Sequence, residues 1–339
     1  MSLPLGKIPK EILEKYVLKL TGERSKNVVQ GPKFGIDFAV VKLDEGYMIV
    51  SSDPVTGAEK EVGWYAVNVS ANDVATSGSK PMYLESVILL PQESKAEDVI
   101  SISKQIHRAA KALGISIIGG HAELTPKLER KIVITTAFGL AKRYVTAADA
   151  KENDAILMTK TAGLEGTSIL ADVFKERLSK IGDKLIMKAL RMMRRISIVK
   201  EALKAFNTGF VHAMHDATEG GVLGGIYEMS VASNLGFLVH EKAIPIALET
   251  DIICEALKID PLKLISSGVL LLAVEPSGVD LVFDELRKIG VRVSQIGHFK
   301  KGKRILIKKD GSENIIKESV IDELWKLWAN NNQFICQTF

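Results

Sequence analysis

The chain has 339 residues, a length that predicts two domains or one large one. Hydrophobic residues make up 46% of the chain and charged residues 25%, which excludes wholesale disorder, collagen and a long coiled coil. The formal net charge is +4, so charge gives no reason to expect nucleic acid or a membrane surface as a partner.

The first half of the chain is predicted to mix hairpins with crossover helices. An amphipathic pattern predicts a helix over residues 7–20. Two strands follow at 36–43 and 47–52, joined by the short loop Asp44-Glu45-Gly46. The remaining predicted elements are helices at 62–77 and 96–113 and strands at 83–90, 115–118 and 132–141.

A polar stretch at residues 142–153 separates this half from the second one. The second half is predicted to open with a strand at 155–159, followed by helices at 167–178 and 183–206. A strand at 210–214 leads into the segment His215–Gly221 and a helix that ends near residue 233. Residues 269–308 are predicted as strand, helix, strand, strand.

These elements predict an α+β fold with mixed sheets. We place an N-terminal domain at residues 1–150, a C-terminal domain at 151–310 and a C-terminal tail at 311–339. The longest apolar run, around 269–274, is much shorter than the roughly 18 residues of a membrane span. Because the N-terminus also lacks the apolar core of a secretory signal, we expect a cytoplasmic protein.

The first hairpin carries two aspartates that predict a bound cation. With a three-residue loop at 44–46, Asp37 lies directly opposite Asp53 on one face, where like charges repel. Magnesium would relieve the repulsion, because hard cations prefer carboxylate oxygens. Two solvated carboxylates at an exposed strand end remain the alternative.

A third aspartate, Asp73, lies near the C-terminal end of the predicted helix 62–77. The helix dipole disfavours an anion there. Asn68, Asn72 and Asp73 also place three polar groups among small apolar residues. This costly arrangement favours a functional role, with a surface aspartate as the alternative.

The segment Gly119-Gly120-His121-Ala122-Glu123 follows a short apolar strand. Two glycines allow a backbone to approach a ligand closely. His121 and Glu123 are therefore candidates for proton transfer or metal support. A plain turn with a hydrogen-bonded histidine is equally compatible with this fragment.

Two further segments offer contacts to an anion. Gly31–Gly35 resembles a flexible phosphate-contacting loop with Lys33 as its basic side chain, although it lacks the P-loop pattern. In His215–Gly221, Asp216 or Thr218 is predicted to cap the next helix, whose free amides form an anion site. An ordinary capped helix is the alternative.

In combination, these segments resemble the AIR-synthase-related (PurM-like) superfamily of ATP-using proteins, and within it the HypE branch of hydrogenase maturation factors. The resemblance runs in order from Lys7 to about Ile307, and five motifs in the correct order make it specific. The motifs are Gly31-Pro32-Lys33-Phe34-Gly35-Ile36-Asp37, Ser52-Asp53-Pro54, Asn72-Asp73-Val74-Ala75, Gly119-Gly120 and His215-Asp216-x-Thr218-x-Gly220-Gly221.

The resemblance implies a two-domain fold in which the N-terminal mixed sheet pairs with a second copy into a dimer barrel. The C-terminal domain is then an α/β sandwich. ATP and Mg²⁺ are the implied cofactors, with the metal held by Asp37, Asp53 and Asp73. The residues expected at the nucleotide are Lys33, Gly35, Asn72, Gly119, Gly120, His215 and Asp216.

The expected reaction is magnesium-dependent ATP cleavage that activates a carbonyl or amide oxygen of a small-molecule or carbamoyl-type substrate. Hydrogenase maturation, with another maturation factor as partner, is the expected setting. An AIR-synthetase-like cyclo-ligase and a small-molecule kinase are the alternative enzymes on this fold. An ATP-binding partner protein with little turnover is the alternative from a different class.

Three departures from the family pattern leave the substrate open. Ile36 replaces the first of two acidic residues after the glycine of the first motif. His121 stands where the second glycine pair is commonly followed by an acid. Glu219 reverses the charge of the arginine that often precedes the last glycines.

The C-terminus also departs from the HypE pattern, in which a terminal cysteine carries the carbamoyl group. Here three residues follow Cys336 and add roughly 10 Å of extended chain. The basic residue expected before the cysteine is missing. We therefore predict that the protein uses the HypE scaffold without the tail chemistry, and that Cys336 is a free thiol.

Overall fold

The computed structural model describes residue 3 and residues 5–335, and side chains up to residue 329. Cys336, and with it the prediction about its thiol, lies outside the described residues. The chain forms two domains, each built on one mixed sheet with helices, as the sequence predicted. Within residues 5–335, no helix is both long enough and apolar enough to cross a bilayer.

The first domain is built on a six-stranded sheet with the order β1-β2-β3-β6-β4-β5. Its pairs are antiparallel except β4 with β5, which is parallel. Helices α2 (Val62–Thr76) and α3 (Ala96–Leu113) pack against it. The strands are β1 (Val28–Gln30), β2 (Ala39–Lys42), β3 (Tyr47–Val55), β4 (Pro81–Pro91), β5 (Ser116–Thr125) and β6 (Ile132–Ala141).

The first hairpin has a different register from the predicted one. Lys42 pairs with Tyr47 and Ala39 with Val50, so the loop holds four residues, 43–46. The Leu43 amide donates to the carbonyl of Gly46, which has a φ of +82°. Asp37 precedes β2 and does not lie opposite Asp53. The predicted cross-strand pair was therefore wrong by one position.

Strand β5 is longer than the predicted strand 115–118 and continues through both glycines to Thr125. A bulge in the β4–β5 register lies beside Glu85, where the two chains come very close. A Cβ on Gly120 would overlap the carbonyl oxygen of Ser86. The glycines thus permit tight strand pairing, and the predicted turn is absent from this described segment.

The N-terminal helix predicted at 7–20 is much shorter in the structure. Helix α1 (Lys10–Ile12) continues as a wider π-helical turn over Leu13–Val17. Pro9 precedes the helix, as its fixed φ favours. Lys7, two residues before Pro9, instead contacts the second domain, where its backbone amide donates to Glu219 at 2.8 Å.

The second domain is built on a seven-stranded sheet with the order β13-β12-β9-β11-β7-β10-β8. Strand β10 lies between β7 and the edge strand β8, and its alternate side chains enter two different hydrophobic clusters. The strands are β7 (Ala155–Thr159), β8 (Val211–Asp216), β9 (Gly236–His240), β10 (Leu270–Val274), β11 (Val293–Lys300), β12 (Arg304–Ile307) and β13 (Glu313–Ile315).

The helices of the second domain cover both faces of this sheet. Helix α7 packs on one face, and the first domain shares a continuous core with the other face. The helices are α4 (Leu164–Val173), α5 (Asp183–Arg191), α6 (Val199–Phe206), α7 (Gly221–Ala232), α8 (Leu248–Leu257), α9 (Val279–Lys288) and α10 (Glu323–Ile335).

The helix predicted at 183–206 is interrupted. Helix α5 is followed by a 3₁₀ turn at Met192–Arg195 and a non-helical segment before α6. In that segment, Asn72 of α2 donates to the carbonyl of Ile196 and accepts from the amide of Ile198, both at 2.9 Å. The first domain therefore supplies the hydrogen bonds that the helix would have made.

Candidate functional site

A cavity of about 820 Å³ lies between the two domains. The first domain lines it with Asp37, Asp53 and Asp73, and the second with His215 and Asp216. The N-terminal segment and α10 complete the walls. Four of the five motifs predicted from the sequence thus meet at one concave surface.

Asp73 is the most deeply placed of the metal candidates. It is 4% exposed and accepts a hydrogen bond from Ser51 at 2.6 Å. Burial raises the pKa of Asp73 well above its usual value, and the nearby Asp53 and Asp216 raise it further. A cation among these carboxylates would relieve that cost.

Asp37 joins this cluster although the hairpin register differs from the predicted one. Its backbone carbonyl accepts from the same Ser51 hydroxyl at 3.0 Å, and Thr76 donates to its carboxylate at 3.1 Å. Ser51 therefore bridges the loop before β2 and the end of α2. The aspartates come together through this bridge and not through a cross-strand pair.

A chain of charged groups runs from Asp37 to the N-terminal segment. His215 Nδ1 lies 2.6 Å from Asp37 Oδ1, and its Nε2 lies 3.1 Å from Glu228 Oε2. Lys7 Nζ lies 2.6 Å from the other oxygen of Glu228. Along this chain, the imidazole of His215 lies between the carboxylates of Asp37 and Glu228, and the ammonium of Lys7 follows Glu228.

These contacts fix the charge of the histidine. Burial alone would lower the pKa of His215, but Asp37 and Glu228 outweigh burial and raise it to about 10. Burial likewise disfavours the charged Glu228, yet Lys7 and His215 lower its pKa to about 2. At neutral pH, His215 is thus an imidazolium between two carboxylates.

Asp216 is buried beside this chain and has an oxygen, Oδ2, without a hydrogen-bond partner among the described groups. Burial, followed by Asp37, raises its pKa well above the usual value. Asp37, His215 and Asp216 each bring a candidate ligand atom within 4.8 Å of the others. Since both nitrogens of His215 face carboxylates, the oxygens of the aspartates fit a hard cation such as Mg²⁺.

The glycine-rich loop approaches the same cavity. Lys33 and Gly35 line it, and Lys33 Nζ lies 3.4 Å from the carbonyl of Ala232 at the end of α7. Lys33 is itself exposed. An ammonium has three donors, so Lys33 can contact an anionic ligand at the cavity mouth while it keeps its contact with Ala232.

Five other predicted residues do not line the cavity of the single chain. Asn72 is fully buried and uses its amide to hold the Ile196–Ile198 segment. Gly119, Gly120, His121 and Glu123 lie on the exposed strand β5, where His121 Nε2 is 3.1 Å from Glu123 Oε2. Their assignments to nucleotide binding and proton transfer stay predictions.

The start of α7 differs from the predicted cap. Gly220 occupies the N-cap position, and neither Asp216 nor Thr218 caps the helix. The Gly220 amide donates instead to Asp322 at 2.6 Å, immediately before α10. The carboxylate of Asp322, just before the C-terminal helix, therefore holds an amide that the sequence had assigned to an anionic ligand.

Sequence reasoning did not identify Lys7, Ser51 or Glu228 as site residues, nor Glu165, a buried residue of α4 that lines the cavity. Glu228 had a usable signal, because it is a charged residue within the apolar, buried helix α7. Lys7 had none, since its partner lies 221 residues away in the sequence. Contacts of this kind depend on how the domains meet.

Two family models match the chain along most of its length. The model of the AIR synthase related protein N-terminal domain matches residues 35–141, and that of the C-terminal domain matches 151–309. Among curated proteins, a putative hydrogenase expression/formation protein of Methanocaldococcus jannaschii is 26% identical over 94% of each chain. The carbamoyl dehydratase HypE of Cupriavidus necator is 29% identical over 70% of this chain and 67% of its own.

Solved structures show the same fold. A HypE–HypF complex contains a chain with a TM-score of 0.73 and 18% identity, covering 91% of this chain and 99% of that one. A HypE structure in complex with ATP has a TM-score of 0.69 at 18% identity, covering 93% and 96%. The predicted PurM-like fold is thereby confirmed.

Proposed function

Since this chain belongs to the AIR synthase related protein family, we propose that it is a HypE-like enzyme that binds and cleaves ATP with Mg²⁺. The γ-phosphoryl group would activate a carbonyl or amide oxygen of a small-molecule or carbamoyl-type substrate in hydrogenase maturation. The observation that carries the proposal is the convergence of Asp53, Asp73 and Asp216 in one cavity. Carboxylates so close together call for a cation.

The aspartates would hold the metal, and each nearby group has a role. Bound Mg²⁺ neutralises the negative charge of the phosphates during phosphoryl transfer. Lys33 at the cavity mouth would contact the phosphates. His215, held by Glu228, orients the carboxylate of Asp37 through its 2.6 Å contact. ATP binding is supported by the related HypE structure in complex with ATP.

We extend the proposal to a homodimer that pairs through β5. This strand has a neighbour on one side only and is exposed along Ser116–Leu124. Exposed edges of this kind pair with other chains unless they are protected. A second copy at this edge would cover His121 and Glu123, where they would act in proton transfer or metal support.

A maturation-factor partner is the remaining part of the proposal. The related HypE in complex with HypF shows that a protein of this fold forms such an assembly. An ATP-binding partner with little turnover would have the same nucleotide site but no stimulated reaction. Phosphate release that increases with a candidate substrate would distinguish the enzyme from this alternative.

The experiment is the Asp53→Asn variant, titrated calorimetrically with ATP in the presence and absence of Mg²⁺. We expect at least a tenfold loss of magnesium-dependent affinity, because a charged ligand contributes about 1.4 kcal/mol or more. The unliganded variant should unfold at a higher temperature, since Asp53 no longer repels Asp73.

The Asp44→Asn variant, in the exposed hairpin loop, is the matched control and should bind like wild type. Unchanged magnesium-dependent affinity in Asp53→Asn would contradict the assignment.

A further inference from the structure

Glu165 is a buried acidic residue of the cavity for which the proposed metal site has no use. It is the second residue of α4, is 3% exposed and lines the cavity. Ser267 hydrogen-bonds to its carboxyl group, but Oε2 is buried with no partner among the described groups. An unpaired buried oxygen costs free energy unless a ligand pairs with it.

The cavity that Glu165 lines also has apolar walls, which come from two helices. Ile169 lies one turn further along α4, and Trp325 and Trp328 enter from α10. The ring of Trp328 contacts Phe174 at the end of α4, with 5.8 Å between centroids. The cavity thus combines aromatic and aliphatic side chains with this carboxyl group.

Trp325 provides a second unused polar atom. Its Nε1 is buried and has no hydrogen-bond partner among the described residues. An indole N–H donates only, whereas a carboxyl oxygen accepts and, when protonated, its group also donates. Burial raises the pKa of Glu165 to about 7, so both forms of the carboxyl are present near neutrality. A complementary ligand needs both a donor and an acceptor.

The charge of this wall restricts the ligand further. Glu219 repels a charge on Glu165, and Glu165 in turn repels a charge on Asp216. A further anion brought to this point would be repelled by all three carboxyl groups, those of Glu165, Glu219 and Asp216. The site therefore disfavours a carboxylate or phosphate at Glu165.

We propose that Glu165, Trp325 and Trp328 form an acceptor subsite for an uncharged molecule with an apolar body and a polar head that both donates and accepts. Glu165 is the specificity-determining residue that contacts this head. The inference rests on the proposed ATP-dependent function and names the class of its substrate.

The test is binding of three probes without ATP or metal, followed by tryptophan fluorescence. Two of the three tryptophans line the cavity, so occupancy should change the emission. The probes are cyclohexanecarboxamide, cyclohexanecarboxylate and acetamide. We expect the ring amide to bind at least tenfold more tightly than either the charged ring or the amide without a ring.

Two variants and a control assign the effect to Glu165. Glu165→Leu should weaken ring-amide binding about tenfold, as expected for loss of a buried hydrogen bond. Glu165→Gln keeps the shape of the side chain and should bind the ring amide within threefold, while its discrimination against the carboxylate falls about tenfold. Asp172→Asn, on the same helix and ion-paired with Lys60, should match wild type.

The outcomes separate this inference from the proposed function. Equal binding of the amide and the carboxylate, or no binding of the ring amide, would overturn the subsite. Should Glu165→Leu fail to fold, an unchanged discrimination in Glu165→Gln would overturn it equally. A protein that binds the ring amide but not magnesium-ATP would instead refute the proposed function and leave the subsite standing.

Discussion

At the scale of single residues, the cavity combines ionisable groups that are compensated with others that are not. His215 and Glu228 neutralise each other within a chain of ion pairs. Asp216 and Glu165 each retain a buried oxygen without a partner. Evolution of a core for stability alone would remove such groups, so their presence marks a site at which ligands complete the hydrogen bonding.

Because the carboxyl group of Glu165 is buried with an unpaired oxygen, it predicts that the free energy of unfolding depends on pH. Its folded pKa of about 7 lies above the unfolded value near 4.5. Between these values the native protein keeps a proton that the unfolded chain has lost, so stability falls as pH rises. From pH 5.5 to pH 8 the fall is about 2 kcal/mol.

The Glu165→Gln variant should lack this contribution. Urea unfolding at pH 5.5 and pH 8 measures it, and the variant should gain about 2 kcal/mol relative to wild type at the higher pH. Asp172→Asn should follow wild type. An identical pH dependence in Glu165→Gln and wild type would show that Glu165 does not titrate as described.

The sequence predicted which acids meet but not how they are held. Asp37, Asp53 and Asp73 were grouped through a hairpin pair that the structure does not contain. They nevertheless meet, because Ser51 contacts both Asp37 and Asp73. A motif specifies residue types, whereas the partners of Lys7 and Glu228 depend on packing between segments far apart in the sequence.

At the scale of elements, the two ends of the chain hold each other over the cavity. Gly6 packs directly against the ring of Trp325, and Asp322 holds the amide of Gly220. Lys7 connects the N-terminal segment to α7 through Glu228. The position of α10 therefore depends on residues more than 300 positions earlier.

This dependence predicts that Gly6→Ala displaces α10. A Cβ there would overlap the Trp325 ring, and the φ of +89° adds strain for any side chain. Gly22→Ala is the matched control, because Gly22 has a φ of +65° and nothing within 4 Å of its Cβ. Both substitutions cost about 1 kcal/mol of backbone strain.

Hydrogen exchange over residues 323–329 measures the difference. Amide protection should fall at least tenfold in Gly6→Ala and stay unchanged in Gly22→Ala, and tryptophan emission should shift in the first variant alone. Equal protection in both variants would mean that the N-terminal segment does not support α10.

Helices and strands were predicted well where the local sequence pattern determines them. They were predicted poorly where contacts with a distant segment of the chain determine them. Helix α3 and the order strand, helix, strand, strand over β10–β12 were predicted correctly from their hydrophobic periodicity. Helix α2 is buried on almost every side, and it was predicted correctly because Gly78 and Pro81 mark its end. The helix predicted at 183–206 was wrong because Asn72 supplies competing hydrogen bonds. Strand β5 was predicted too short because its glycines are needed for its close pairing with β4.

At the scale of the whole molecule, β5 is an exposed edge strand of the first sheet, with a hydrogen-bonded neighbour on one side only. Its exposed apolar side chains are Ile117, Ile118 and Leu124, at 45%, 55% and 52%. A parallel strand usually lies inside a sheet with both faces covered. The exposure of β5 therefore carries the proposal of a dimer more directly than composition does.

The dimer proposal predicts that Ile118→Lys yields a monomer. A buried ammonium between two copies loses its hydration, which costs several kcal/mol without a counter-charge. Static light scattering at micromolar concentration should give twice the chain mass for wild type and the single mass for the variant. The matched control is Ile289→Lys. Ile289 lies at the end of α9 in the other domain and is 40% exposed, so this variant should remain dimeric.

Because the second copy would cover His121 and Glu123, the monomeric variant should also bind magnesium-ATP more weakly than the control. A monomeric wild type, or a dimeric Ile118→Lys protein, would refute pairing through β5 and leave both residues in solvent.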